Sequence, residues 1–246
     1  PDLICYIEIV NNFGYVGIDR IFGFGGLPIG VSEKAVSLIS SGIDSPVASF
    51  ELLKRGVDIT YIHFHSVPST SRESINNVKS ILHILSKYQI ELDVAFIPLL
   101  PIQKMIMENI PNKYWILFFR RTMVSIANEL AKNIDASALI TGESVGQVAS
   151  QTLSNIRAVS EKATLPILRP LSGMNKNDII DRAIQIGTYD ISIEPYQDCC
   201  SFFVPKHPVL KTRKVDIDRI ESKLKLKSLL KEALKNGKYE TISIDY

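Results

Sequence analysis

Ser40-Ser41-Gly42-Ile43-Asp44-Ser45-Pro46 stands between the apolar run Ala35-Val36-Ser37-Leu38-Ile39 and the periodic Val47, Phe50, Leu52 and Leu53. The run before it has the length and content of a buried strand, and the spacing after it is that of a helix. A turn so placed is suited to hold pyrophosphate. Small residues and a glycine let the backbone approach an anion, successive N–H groups form a nest, and the next helix presents its positive dipole end. Asp44 or Ser45 suits the N-cap, and Pro46 suits the first helical position, where its missing N–H costs nothing. The plainer reading of the same residues is a serine-rich turn that only caps a helix.

What the turn lacks narrows its chemistry. A P-loop of the NTPase kind ends in Gly-Lys-Ser/Thr, with the lysine reaching the β- and γ-phosphates. Ile43-Asp44-Ser45 stand there instead, so chemistry at the γ-phosphate is not expected. Nor is Gly23-Phe24-Gly25-Gly26-Leu27-Pro28-Ile29-Gly30 a dinucleotide fingerprint. Pro28 occupies the third glycine position, and the stretch precedes a strand where the fingerprint must follow one.

Outward from the turn, strand and helix patterns alternate: strand Ala35–Ile39, helix Pro46–Arg55 closed by Gly56, strand Ile59–Phe64, helix Arg72–Tyr88, strand Val94–Ile97, helix Lys113–Lys132, strand Ala138–Thr141 and helix Asn175–Gly187. This order predicts an α/β fold with right-handed crossovers, a parallel sheet and helices on both faces. Ligands of such sheets bind at the carboxyl ends of the strands. That rule sets Ser40–Ser45, His63–His65 and Thr141–Gly146 along one rim. Before the alternation, Leu3–Val10 and Tyr15–Ile18 read as strands about the turn Asn11-Asn12; after it, Val215–Asn236 reads as a lysine-rich helix.

Composition agrees with an ordinary globular protein: 246 residues, 46% hydrophobic, 22% charged, net charge +2. A charge so small makes no demand for nucleic acid at the level of the whole chain. No apolar run reaches about 18 residues and the start has no basic region with an apolar core, so neither a membrane span nor a secretory signal is read. The 3 cysteines include the adjacent Cys199-Cys200, which make no disulfide framework, and a reducing cytoplasm is expected. The chain opens on Pro1 rather than Met, as a portion of a longer protein would.

The Ser40–Pro46 loop resembles the PP-loop of the ATP pyrophosphatases, with Ser41 in place of the first glycine of their Ser-Gly-Gly-x-Asp-Ser pattern. These enzymes cleave ATP between its α- and β-phosphates. Further motifs sharpen the likeness: Gly26-Leu27-Pro28-Ile29-Gly30, Phe64-His65-Ser66, Arg120-Arg121-Thr122-Met123, the run from Thr141-Gly142-Glu143-Ser144 to Gln151-Thr152, Leu168-Arg169-Pro170 through Lys176, and Pro195-Tyr196-Gln197-Asp198-Cys199-Cys200. In this order they resemble the catalytic domain of the tRNA 4-thiouridine sulfurtransferases over nearly all of residues 23–210.

That resemblance implies a reaction and its participants. Members of the family adenylate uridine at position eight of tRNA with ATP and Mg²⁺ and replace O4 by sulfur; some also supply sulfur for the thiazole of thiamine. The implied partners are tRNA and a persulfide donor, a cysteine desulfurase or its equivalent, with no membrane, and with a homodimer as a candidate oligomer. The implied organisation is a remnant of a tRNA-gripping THUMP domain plus linker over residues 1–30, the PP-loop domain over 31–210, and a helical extension over 211–246. For the nucleotide the likeness points to Leu38, Ile39, Ser40, Ser41, Gly42, Asp44, Ser45, His63, Phe64, Arg120, Gly142 and Gln151. For catalysis it points to Asp44, Lys176, Cys199 and Cys200, the register favouring Cys199 as the thiol of sulfur transfer. No protein metal site is implied.

Without the family, these residues keep plainer readings: a cap for Asp44, a solvated helix-start lysine for Lys176, a strand-end histidine for His63, an exposed salt bridge for Arg120, and small buried hydrophobes for the cysteines. Two rival functions also stand: another adenylating PP-loop enzyme, such as a 2-thiouridine synthetase, and a non-catalytic nucleotide-binding module.

Overall fold

The computed structural model describes residues 2–195, 199, 203, 208–224 and 226–244. β1 (Tyr6–Val10) and β2 (Phe13–Gly17) form an antiparallel hairpin. Its two-residue turn is made by Asn11, at φ 54°, and Asn12; asparagine tolerates that left-handed conformation better than most residues. Both faces of the hairpin are exposed, and it forms a sheet of its own. The linker that follows docks on the main body: the Leu27 N–H donates to Lys54 O (2.9 Å) and that of Gly30 to Gly56 O (3.0 Å). Gly26, at φ +118°, has no room for a Cβ against the Lys54 backbone.

The main body alternates as the sequence predicts. It comprises β3 (Lys34–Leu38), α1 (Asp44–Leu53), β4 (Asp58–His65), α2 (Glu73–Leu85), β5 (Glu91–Pro98), α3 (Leu100–Asn109), α4 (Trp115–Asn133), β6 (Ala138–Ile140), α5 (Leu153–Ser160), β7 (Ile167–Leu168), α6 (Lys176–Ile186), the single turn α7 (Tyr189–Ser192), α8 (Lys214–Glu221), α9 (Leu226–Lys235) and β8 (Lys238–Ser243). The sheet order is β7-β6-β3-β4-β5-β8, with β3 to β7 parallel and β8 antiparallel to β5. Because side chains alternate along a strand, each strand feeds two cores. Val36, Ile62, Ile97 and Leu139 pack with the buried faces of α3, α4 and α9; Ala35, Ile59, Tyr61, Val94 and Ile140 pack with those of α1, α2 and α6.

The structure departs from the sequence expectations in several places, among them α5 and α7, where no helix was read. The sheet is mostly rather than wholly parallel, because β8 closes one edge. α3 was not expected, since no element was read between strand Val94–Ile97 and helix Lys113–Lys132; Pro101 sits in its first turn, where no backbone donor is needed. β7 is too short for a pattern to reveal it. The single helix expected over Val215–Asn236 is two. Ile217, Ile220 and Leu224 hold helical spacing, but Leu226 follows Leu224 by only two residues, and all four are buried, so one straight helix could not bury them on one face.

Candidate active site

β6, β3 and β4 lie side by side and parallel, so their carboxyl ends open together onto one cavity of about 380 Å³. Leu38, Ile39, His63 and Phe64 come from the strand ends, and Ser40, Gly42, Asp44 and Ser45 from the loop into α1. α4 supplies the facing wall with Ile116, Arg120, Met123 and Val124, spaced as one helical face. Thr141, Gly142 and Glu143 follow β6; Ser150 and Gln151 come from the loop before α5, and Val159 from α5 itself. Cys199 completes the lining.

Ser45 organises the loop. Its Oγ accepts from the Ser40 N–H at 2.8 Å, lies 3.0 Å from Ser40 Oγ and donates to Ser40 O at 3.2 Å. One turn on, Ser49 Oγ donates to Ser45 O at 2.9 Å and meets Ser37 Oγ of β3 at 2.8 Å. The loop is thus tied to strand and helix by hydroxyls, which leaves the first-turn N–H groups of α1, lacking i−4 acceptors, for another partner. Gly142 lies against this turn. A Cβ there would stand 2.7 Å from Ser45 N and 2.8 Å from Asp44 C, so only glycine lets the end of β6 come this close.

Asp44 is no helix cap, since no side-chain capping bond forms at the start of α1. Its carboxylate accepts from Lys176 Nζ at 2.5 Å and from Gln147 Nε2 at 3.0 Å. Lys176 is the first residue of α6, beyond Asn175, whose backbone N–H donates to the Asp178 carboxylate (3.3 Å). A cation at a helix N-terminus opposes the dipole. Its position is explained by the carboxylate across the cavity mouth rather than by its own helix.

A second charged group lies deeper. Glu143, only 2% exposed, meets Arg120 through Oε1 and Arg169 through Oε2, both at 2.6 Å; Thr141 Oγ1 also donates to Oε2 at 3.0 Å. Burial pushes its carboxyl up, but Arg120 and then Arg169 outweigh burial and hold it below the usual carboxylate range. Arg120 further donates to Ser150 Oγ at 3.1 Å. On the strand side, His63 Nδ1 lies 3.0 Å from Ile39 O. His65, two residues on, titrates near pH 4, lowered first by burial and then by His63 and Arg72.

Of the residues singled out from sequence, Leu38, Ile39, Ser40, Gly42, Asp44, Ser45, His63, Phe64, Arg120, Gly142, Gln151 and Cys199 all line the one cavity. Ser41, also in the loop, does not, and is buried. Lys176 reaches the site through Asp44. Cys200 lies outside the described residues. Cys199 is buried, and its carbonyl accepts from Gln103 Nε2 at 2.7 Å, while Gln103 Oε1 accepts from Ser66 Oγ at 2.6 Å.

Sequence reasoning gave no role to Glu143, Arg169, Gln103 or Gln147. Glu143 and Arg169 stand within quoted motifs, and a glutamate in an apolar setting with arginines to pair it is a signal. Gln103 sits on the helix that was not expected.

A family model described as thiamine biosynthesis protein (ThiI) matches residues 30–226. A probable tRNA sulfurtransferase of Finegoldia magna is 44% identical over 236 residues, covering 96% of this chain and 60% of that protein. One from Alkaliphilus oremlandii is 45% identical over 245 residues, covering 100% of this chain and 62% of that protein. The chain therefore spans about three-fifths of the length of these relatives. A crystal structure of a 4-thiouridine synthetase–RNA complex with bound ATP superimposes with TM-score 0.92 at 39% identity, covering 99% of this chain and 64% of that one.

Proposed function

The chain belongs to the ThiI family, and from that premise we propose that it is the adenylating and sulfur-transferring part of a tRNA sulfurtransferase. It activates uridine at position eight of tRNA with ATP and replaces O4 by sulfur to give 4-thiouridine. The observation that carries this reading is a single cavity lined by both a phosphate-type loop, Ser40–Ser45, and a cysteine, Cys199. Activation needs the first and sulfur delivery needs the second. The RNA and ATP of the similar synthetase structure support the same substrates here.

Uracil O4 is a poor leaving group, so it first attacks the α-phosphate of ATP and expels pyrophosphate. Catalysis of that step is positioning and charge stabilisation. The loop amides and the start of α1 take the β- and γ-phosphates; Leu38, Ile39, His63, Phe64, Gly142 and Gln151 surround the rest of the nucleotide. Lys176 and Arg120 meet phosphate charge. Asp44 is the carboxylate to hold Mg²⁺, which neutralises phosphate charge when bound. The described residues contain no cluster of three metal-ligating side chains, which suits an ion held largely by phosphate and water with one carboxylate.

A donor persulfide then attacks C4 and AMP leaves, giving a disulfide between the base sulfur and the donor. The Cys199 thiolate attacks the donor sulfur, releasing 4-thiouridine and forming a Cys199–donor disulfide. Cys200 is the adjacent candidate for that thiol. The reading extends to a cytoplasmic setting, to sulfur supply for thiamine, and to residues 1–30 as the end of an RNA-gripping domain. No helix among the described residues is long and apolar enough to cross a membrane.

The test is mass spectrometry of tRNA after incubation with the chain, ATP and a persulfide donor, with nucleotide products read beside it. AMP, pyrophosphate and 4-thiouridine are expected. ADP and phosphate as the only products would refute the reading.

A further inference from the structure

We infer that Glu143 is a positioning residue, which with Arg169 behind it holds Arg120 at the cavity wall as the cation presented to the nucleotide. The inference deepens the proposed function and rests on its reading of the cavity as an ATP site. Among the described lining residues Arg120 is the only arginine or lysine. Its guanidinium is held at two points, by Glu143 at 2.6 Å and by Ser150 at 3.1 Å.

A buried glutamate that served folding alone would be satisfied by Arg169 and Thr141, both on Oε2. Oε1 makes no hydrogen bond among the described residues and is held by charge alone, 2.6 Å from the guanidinium of the arginine that faces the cavity. Charge explains why Arg169 is needed. Glu143 and Arg120 alone would make a neutral pair with little attraction for phosphate. Arg169 does not line the cavity; its charge offsets the carboxylate, so the three side chains keep a net single positive charge while Arg120 stays oriented. Pre-orientation of a planar guanidinium is what two-point recognition of phosphate requires.

The experiment is a double-mutant cycle on Mg²⁺–ATP affinity, measured by calorimetry on the purified chain without RNA. Glu143→Gln keeps the shape and removes the charge. Although the net charge of the group rises from one to two, the loss of orientation is expected to dominate and affinity for ATP to fall about tenfold, within the range of couplings between contacting charged groups; a rise in affinity would overturn the inference. In the Arg120→Ala background the same change should cost less than about twofold, because the group it positions is gone. Losses that multiply would overturn the inference and leave the ATP site standing. No binding of ATP by the unaltered chain would overturn both. Arg169→Lys keeps the charge outside the cavity but loses the Nε contact to Glu143, and covers the case in which Glu143→Gln does not fold. Weakened ATP binding that disappears on adding Arg120→Ala supports the positioning role, and unchanged binding refutes it.

Discussion

Gly142 has no room for a methyl group. With a Cβ falling 2.7 Å from Ser45 N and 2.8 Å from Asp44 C, Gly142→Ala must push the start of α1 away from the strand end. Overpacking of this kind costs about 1–3 kcal/mol, and here it moves the Ser40–Ser45 loop itself. A lower melting temperature together with weaker ATP binding is expected from calorimetry; unchanged affinity would separate the close approach from the site. His65 gives a prediction in pH. Its folded pKa, about 4, lies below the ordinary value of 6.5, so between these values the unfolded chain binds more protons. Stability is then full above about pH 6.5 and falls as pH drops toward 4. His65→Asn should flatten that slope in melting temperature, and an unaltered slope would assign it to other groups. At this scale the sequence was most legible where small residues shape a turn, as at Gly42, and least where two distant side chains meet. Nothing in the spacing of Arg120, Glu143 and Arg169 says that they converge; that follows from β6 lying between β3 and β7 and from α4 packing over β3 and β6.

α3 shows how one element can matter to another without touching the chemistry. Pro101 sits in its first turn, where proline is compatible with a helix, yet the segment was given no element from the sequence. Without that helix, the sequence offered no partner for the cysteine loop. Gln103, fully buried on α3, bridges the Ser66 hydroxyl and the Cys199 carbonyl. Gln103→Leu removes both bonds and leaves the buried Ser66 hydroxyl without this acceptor, a loss of about 1–3 kcal/mol. It should loosen the cysteine while leaving the phosphate loop intact. On the proposed reading, AMP release with tRNA then stays within about twofold, as befits a loop the change does not touch, while 4-thiouridine drops about tenfold or more, the loss expected when a reacting group shifts by about 1 Å. Parallel loss of both would make Gln103 a general structural residue. The alternating core elements were legible because each carries a strong apolar period. The break between α8 and α9 lies in a two-residue phase slip, which lysine-rich composition conceals.

At the scale of the whole molecule, the sheet is asymmetric in what closes its two ends. β7, of two residues, ends one side, and β8 covers β5 on the other over six paired positions from Glu91↔Ser243 to Phe96↔Lys238. β8 also carries Glu240, paired with Lys79 at 2.6 Å, and Thr241, bonded to Asp93 at 2.7 Å. Its sequence, Lys238-Tyr239-Glu240-Thr241-Ile242-Ser243, alternates weakly and follows a helix, which is why no strand was read beyond the helix Val215–Asn236 in the 211–246 extension. Removing residues 238–246 would leave β5 as a bare edge with a row of unpaired N–H and C=O groups. Such an edge invites pairing between copies. The melting temperature should fall by several degrees, at about 2–4 °C per kcal/mol for a domain of this size, and aggregation should rise with concentration. The cavity opens at the ends of β6, β3 and β4, away from this edge. Folded protein lacking β8 should therefore bind ATP within about twofold of the intact chain, well inside one tenfold step of 1.4 kcal/mol. A normal melting temperature would make β8 an ornament of the fold. Lost ATP binding in protein that remains folded would show that the edge and the nucleotide loop are coupled through β4 and β5.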